Sequence, residues 1–424
     1  PISLILIPSF LALFISLPVF FLSFFLKFNK LCLVLIFSIL LACSEFIRGS
    51  ILTGFPWNLF IYSFSNNLSF IQMLSIFGTY GLNLICISFF LLPSIFIFDK
   101  NRSDKIITSI SLIVFVSFFF IGNSRLNEEN IISKFNEGGL VKIVSSKVEI
   151  DRFYNTENEE NIINQLIALS DPDKDVPTLF IWPEGVITST YLKDISQYKK
   201  LFEKFSDKHL ILLGINNIVT KDKSRIYNSL ALVDNELNLK SVYYKNNLVP
   251  FGEFLPLESV LSKIGLRNIT NKYQSFSQGQ ERDIIDAEFS NFNLNILPLI
   301  CYEIIYSGKL SDKNNFDLIV NISEDGWFGK SIGPHQHFAH SVFRAIEEGK
   351  TIIRSSNNGI SGVISPKGKT LEINMSTYSG VLSIDNFEKL RKKTVFSSYG
   401  YNNIFFYLVA FYITLIFFLK RIGR

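Results

Sequence analysis

Cysteine is scarce in this chain, and the scarcity is uneven. Four occur in 424 residues. Cys32, Cys43 and Cys86 fall within hydrophobic segments, where a thiol behaves as a small buried hydrophobe, whereas Cys301 stands alone in the polar remainder. That excludes a disulfide framework and C-x-x-C zinc sites from the remainder. Histidine is equally rare, and three of the four, His335, His337 and His340, share "GPHQHFAH". Two positions apart on a helix, His335 and His337 point to different faces, and no further His or Cys completes a tetrahedral set, so no metal is expected. A G-x-x-x-x-G-K-S/T phosphate loop is absent, which weighs against an NTPase. The net charge is a mild +4, and the basic residues form no stripe interleaved with aromatics, so no nucleic-acid partner is expected.

Apolar residues are plentiful. They make up 48% of the chain, concentrated in residues 1–122 and 402–419 around a long block of mixed polarity. A helix needs roughly 17 to 25 apolar residues to cross a bilayer, and spans are expected at 2–26, 31–47, 81–98, 106–122 and 402–419. The first carries Pro8 and Pro18 and should kink. Residues 51–78 ("ILTGFPWNLFIYSFSNNLSFIQMLSIFG") read as a re-entrant or interfacial connection. Lys27 and Lys30, then Lys100, Arg102 and Lys105, then Lys420, Arg421 and Arg424 fall on one side of these spans. Cytoplasmic loops are enriched in Lys and Arg, which places residues 123–401 outside the cytoplasm; Arg48, beside Glu45, is the lone basic residue in an outer loop. The chain begins at Pro1 within an apolar segment, so preceding residues are expected to be missing.

The resulting organisation is a transmembrane region over 1–122, a linker over 123–138, a catalytic domain over 139–395 and a C-terminal span. Strand candidates in the polar block are 140–144, 178–184, 210–216, 226–234, 292–303, 316–323, 351–356 and 361–366, with helical periodicity at 159–170 and 335–350. Such alternation predicts an α/β domain with buried sheets.

Catalytic groups in α/β domains gather at the carboxyl ends of strands. Glu184 closes "TLFIWPE", Lys245 follows "LKSVYY" and Cys301 closes "NILPLIC". A free thiol is only a few per cent ionised at neutral pH, so a nucleophilic cysteine needs a base or a positive neighbour. Glu184 can take the proton, and Lys245 can stabilise the oxyanion formed on attack at an ester or amide carbonyl. Each residue alone has an ordinary structural reading, a buried thiol or a solvated strand-end charge. Their settings, "WPEG" and "YKNNLVPFGEFLPLE", favour packed functional loops.

"FIWPEG", "YYKNNLVPFGEFLP" and "LICYEI", in that order, resemble the signature blocks of the nitrilase superfamily. "SEFIRGSILTGFPWN" (44–58) and "NISEDGWFGKSIGPHQHFAHSVFRAIEEGKTIIRSSNNGISGVI" (321–364), with the flanking spans, are similar to its membrane branch, the bacterial apolipoprotein N-acyltransferases. The resemblance implies a multi-pass α-helical membrane domain joined to an α/β nitrilase-like domain, an αββα four-layer sandwich. It implies Glu184 as general base, Lys245 as oxyanion-stabilising cation and Cys301 as acylated nucleophile. Glu253 and Glu303 would support them, and Trp327 and Phe328 would lie on a loop or lid beside the acyl site. The implied donor is a phospholipid and the implied acceptor a diacylglyceryl-modified apolipoprotein, with no cofactor. The protein would be a monomer in the bacterial inner membrane, its catalytic domain periplasmic. The family also implies about three further spans before Pro1 and a Gln-Gly-Asn-like turn that "VKIVSSKVEIDRFYN" lacks. Two rivals remain: a membrane-tethered amidase using water as second nucleophile, and a lipid- or lipoprotein-binding protein with an inactive triad.

Overall fold

The computed structural model describes residues 3–135, 138–153, 159–219, 225–255, 275–289, 292–308, 310, 315–374, 379–400 and 402–422. Residues 256–258, the end of the lysine-bearing motif, lie outside them.

The hydrophobic runs form helices: α1 (Ser3–Leu22), α2 (Lys30–Arg48), the short α3 (Leu68–Ile71), α4 (Leu74–Leu91), α5 (Ser94–Phe98) and α6 (Arg102–Asn127). Asparagines start three of them, Asn29 accepting from the Cys32 N–H at 2.8 Å, Asn67 from the Phe70 N–H at 2.9 Å and Asn101 from the Ser103 N–H at 3.0 Å, the usual capping of unpaired first-turn donors. Five stretches among the described residues, Pro8–Phe25, Lys30–Arg48, Leu74–Phe98, Arg102–Asn127 and Asn403–Arg421, are long and apolar enough to cross a membrane. The bounds differ from expectation, most at the start of the third stretch. The third stretch begins at Leu74 rather than residue 81, because α4 runs through a break at Gly78, whose φ of 65° takes the chain out of helical geometry for one residue. The last turn of the expected connection thus belongs to a helix.

Two six-stranded sheets follow. The first orders β13-β2-β3-β4-β5-β6 and comprises β2 (Leu140–Ser145), β3 (Thr178–Ile181), β4 (His209–Ile218), β5 (Ile226–Asp234), β6 (Leu239–Tyr244) and β13 (Gly380–Ile384). The second orders β12-β11-β10-β9-β8-β7, with β7 (Ile285–Phe289), β8 (Phe292–Ile300), β9 (Leu318–Glu324), β10 (Ile352–Asn357), β11 (Ser361–Ile364) and β12 (Thr370–Asn374). β1 (Ile131–Lys134) pairs with β14 (Asn386–Lys389). Parallel pairing at β2–β3–β4 and β8–β9–β10 aligns the carboxyl ends of the central strands.

Alternation along the strands makes the layers. Val141, Ile143, Leu179 and Leu212 of the first sheet meet Ile296, Ile300, Val320 and Ile353 of the second. The opposite face of the first sheet, with Phe180, Trp182 and Leu213, packs on Ile163, Leu166 and Ile167 of α7 (Glu159–Ser170). The opposite face of the second, with Leu297, Ile319 and Ile352, meets Ala345 of α8 (Gly333–Glu348). This is the αββα sandwich.

α8 has a second apolar face. Phe343 and Ile346 join the membrane-helix core around Phe70, Leu74 and Leu82. Glu347 accepts hydrogen bonds from the Thr79 N–H and hydroxyl and from the Ser307 hydroxyl, capping α4 where it restarts after Gly78. The hydroxyls of Tyr302 and Tyr306 donate to the carbonyls of Gly54 at 2.9 Å and Thr53 at 2.6 Å. The segment before the third apolar stretch is thereby fastened to the turn that carries Cys301. A short α9 (Val395–Ser398) leads into the last apolar helix, α10 (Asn403–Ile422).

Candidate active site

Strand ends put the three candidate residues together, with two boundaries shifted. β3 stops at Ile181 rather than 184, since Pro183 has no N–H to offer, and Trp182 makes the last ladder bond, to Leu212 O at 2.8 Å. β8 stops at Ile300, and Cys301 opens a 3-10 turn to Ile305 with φ of 51°. A non-glycine residue in left-handed geometry carries strain and concentrates at functional sites. Lys245 follows β6 directly, its N–H bonded to Asn228 O at 2.9 Å.

All three line one cavity of about 1120 Å³. Lys245 Nζ lies 2.9 Å from Glu253 Oε1 and 3.5 Å from Glu184 Oε1. Asn228 Nδ2 donates to the same two oxygens, at 2.8 Å to Glu184 and 2.9 Å to Glu253. The other Glu184 oxygen accepts from the Glu324 N–H at 3.0 Å. Burial disfavours a charged lysine, but the Glu253 and Glu184 carboxylates overcome it and hold Lys245 well above its ordinary value, so it is an ammonium. Cys301 moves the other way. Burial pushes its thiol up, the Glu184 charge adds to this, and Lys245 opposes without winning. The resting site therefore holds a thiol and needs a base to make its nucleophile.

Glu303 lies outside that cavity and is fully buried. Its Oε1 accepts from Arg282 Nη2 at 2.9 Å, the Tyr243 hydroxyl at 2.7 Å and the N–H groups of Asn246 and Asn247 at 2.9 and 3.0 Å. Its Oε2 accepts from the Ile300 N–H at 2.8 Å. One carboxylate thus ties the residue before Cys301 to the two residues after Lys245. Despite burial, Arg282 and these donors hold its carboxyl below the ordinary range.

The rest of the cavity is largely aromatic. Phe55 and Trp57 come from the membrane-side segment, and Phe153, Phe276, Trp327 and Phe328 from the sandwich. Trp327 is 53% exposed and stacks on Phe153 at 5.0 Å; Phe328 lies 5.5 Å from Trp57. The three histidines go separate ways. His337 lines the cavity, His340 meets the Tyr62 hydroxyl at 2.7 Å, and among the described residues no group of His, Cys, Asp and Glu is placed to hold a metal.

Residues 148–385 match the carbon-nitrogen hydrolase family, and residues 1–92 match the apolipoprotein N-acyltransferase N-terminal domain. The apolipoprotein N-acyltransferase of Rickettsia typhi is 34% identical over 412 residues, covering 94% of this chain and 79% of that one. That of Rickettsia prowazekii is 34% identical over 434 residues, covering 98% and 83%. The chain belongs to the apolipoprotein N-acyltransferase family. Among solved structures, Saccharomyces cerevisiae Nit3, a member of branch 10 of the nitrilase superfamily, aligns at TM-score 0.41 and 16% identity over 62% of this chain and 93% of its own.

Several residues of this N-acyltransferase site escaped the sequence reading. Asn228 sits in "IYNSLALVD", where a polar residue among strand apolars was the available signal. Arg152 occupies the segment after β2, in the place of the turn the family led us to expect. Its guanidinium pairs with Glu324, and its Nε donates to Gly185 O at 2.7 Å, fixing the loop that bears Glu184. Gly214 on β4 has no room for a side chain: a Cβ would lie 2.7 Å from Glu184 Cα and 2.9 Å from Pro183 O. Gly214→Ala is expected to displace Glu184, the candidate base, and lower acyltransferase activity by about 10²-fold, the cost of a misplacement of about 1 Å in an active site. Steady-state rates in detergent check it, and activity within threefold of the parent would show that the loop absorbs the methyl.

Proposed function

We propose that this chain transfers an acyl group from a phospholipid, through a thioester on Cys301, to the α-amino group of diacylglyceryl-cysteine at the N-terminus of apolipoproteins. As a family member it is an acyltransferase of lipoprotein N-acylation, acting on lipid and lipoprotein substrates in a membrane setting. The observation that carries the finer reading is the composite cavity. Glu184, Lys245 and Cys301 line it together with Phe55 and Trp57, which bring apolar surface from the membrane-side segment. A small amide needs no such surface, whereas an acyl chain does. This favours transfer over the amidase reading, and the paired, buried Lys245 and Glu184 speak against an inactive binding protein.

In the first half-reaction Glu184 removes the Cys301 proton and the thiolate attacks the ester carbonyl. Lys245 holds the oxyanion. Collapse breaks the ester C–O bond, and Glu184 returns the proton to the departing lysophospholipid. In the second, the neutral amine attacks the thioester, Glu184 takes its proton, and the C–S bond breaks to give amide and thiol. Glu253 and Asn228 keep Lys245 and Glu184 aligned, and Trp327 and Phe328 form the lid that keeps water from the thioester. Residues 139–395 are the catalytic unit, acting in a monomer, and they carry Glu184, Lys245 and Cys301. The Lys and Arg distribution supports a cytoplasmic-membrane protein with this unit on the outer, periplasmic side.

Intact mass of the purified protein after incubation with a diacyl phospholipid tests the reading. A hydroxylamine-labile acyl adduct is expected on the parent and not on Cys301→Ala, and it should decay faster in Trp327→Ala. An adduct that survives the Cys301→Ala change removes the nucleophile assignment. Equal adduct lifetimes remove the lid.

A further inference from the structure

His337 lies on the first turns of α8 and is buried, with rings on two sides: Trp57 at 5.6 Å and Phe328 at 5.7 Å between centroids. Its polar neighbours are specific. Nε2 is 3.2 Å from the carbonyl oxygen of Cys301. Nδ1 is 2.9 Å from Asp325 Oδ1 and 3.0 Å from Arg354 Nη2. Arg354, in the middle of β10 and fully buried, donates from Nη2 to both Asp325 oxygens at 2.9 Å and from Nη1 to Asn321 Oδ1. Asn321 in turn directs its Nδ2 toward the same Cys301 carbonyl at 3.4 Å. Two arms, one through His337 and one through Asn321, therefore run from a single guanidinium to one oxygen atom.

The protonation logic agrees from either side. A carbonyl can only accept, so Nε2 must carry a proton. In the neutral ring Nδ1 then accepts from Arg354; in the imidazolium its N–H donates to Asp325. Burial and the Arg354 charge favour the neutral form. Both forms donate to Cys301.

We propose that His337 is a positioning residue of the acyl-transfer site, clamping the Cys301 carbonyl so that the peptide between Cys301 and Tyr302 is held in one orientation. This rests on the thioester reading above. A trans peptide is planar, with its C=O and N–H pointing in opposite directions, so an anchored carbonyl aims the Tyr302 N–H. The first N–H groups of a helical turn have no partner within it, and this one sits next to the nucleophile, where oxyanion charge develops. The left-handed φ of 51° at Cys301 makes such an anchor necessary, because a strained residue keeps its geometry only when its surroundings impose it. His337 works through the backbone, while Lys245 supplies the opposing side-chain donor.

The test separates aiming from folding. His337→Phe keeps a ring between Trp57 and Phe328 but loses the donor; His337→Gln keeps an N–H donor of similar reach. Each full-length variant is compared with the parent in three reactions at Cys301: acylation by a diacyl phospholipid, acylation by p-nitrophenyl butyrate, and alkylation by iodoacetamide, which forms no oxyanion. His337→Phe should slow both acylations by about 10- to 100-fold with little change in KM, the size of effect a slightly misaimed group produces. Alkylation should stay within threefold, and His337→Gln should recover most of the loss. Parent-like acylation by His337→Phe, a parallel fall in acylation and alkylation, or a Gln variant as slow as Phe would each overturn the proposal. If the parent is acylated by the ester but not by the phospholipid, the donor assigned above is wrong, and the ester series still decides the role of His337.

Discussion

Replacing Glu184 by Gln is expected to slow acylation of Cys301 by about 10²- to 10⁴-fold, the range a positioned general base contributes. The substitution is nearly isosteric, but the Asn228 amide and the Glu324 N–H donate to different Glu184 oxygens, so the single carboxamide oxygen keeps one of these bonds and the NH2 faces the other donor. Lys245 retains Glu253 at 2.9 Å. The fold should survive the loss of one such bond and of the 3.5 Å contact between the Glu184 charge and Lys245, and the main loss should fall on proton transfer. Because the Cys301 thiol is pushed up by burial and then by the Glu184 charge, the parent cannot rely on thiolate already present at neutral pH. Removing that charge lifts the largest cause after burial, so the variant thiol should ionise at lower pH than the parent's, and its residual rate should climb steeply with pH. Rapid-mix intact mass across pH 6 to 10 reads both effects. A variant within threefold of the parent at neutral pH would mean that Glu184 is structural and that another group takes the proton.

Legibility in the sequence followed the length scale of the interaction. Strand runs such as "TLFIWPE" and "NILPLIC" carry their burial in consecutive residues, which set Glu184 and Cys301 at or just past strand ends, as "LKSVYY" set Lys245; the roles expected of the three came from the family resemblance. The edge strands β13 and β14 were not seen, because a half-exposed strand such as Gly380–Ile384 has few residues to bury and ordinary polar neighbours. The Arg354–Asp325–His337 cluster was half visible. A charged residue inside the apolar run "TIIRSS" must be paired when buried, but nothing local says that its partner lies 29 positions earlier. The spacing of the histidines disfavours a metal and suits a polar helix start near the site, but it does not say that His337 meets the Cys301 carbonyl. Gly78 was hidden within a hydrophobic run, since breaking α4 there depends on Glu347 arriving from the sandwich to cap the restart.

Glu303 carries the largest expected effect on stability. Glu303→Leu would leave Arg282 buried without its carboxylate, and removing one partner of a buried ion pair costs about 3–5 kcal/mol. It would also take the Glu303 acceptor from the N–H groups of Ile300 and Asn247 and leave that of Asn246 only the Tyr243 hydroxyl at 3.2 Å. Unpaired buried donors add to the cost at about 1–3 kcal/mol each, so Glu303→Leu should lower the unfolding midpoint more than Arg282→Met does. The double variant removes the guanidinium as well and should recover part of the loss, but not the backbone donors left without Glu303; full recovery would show that the ion pair alone matters. The pH dependence has a definite sign. Since the folded carboxyl is held below its ordinary value, its contribution is complete above the unfolded value of about 4.3 and is lost as pH falls through the folded one. The parent should therefore lose stability in that acid window, and the variant should lack this component. Thermal melts in detergent at pH 7 and pH 4 measure it. Because the same carboxylate joins the Cys301 turn to the Lys245 loop, any folded Glu303→Leu protein should also lose acylation out of proportion to its melting point. A stable Glu303→Leu protein with parent activity would show that the sheets position nucleophile and lysine without this tie.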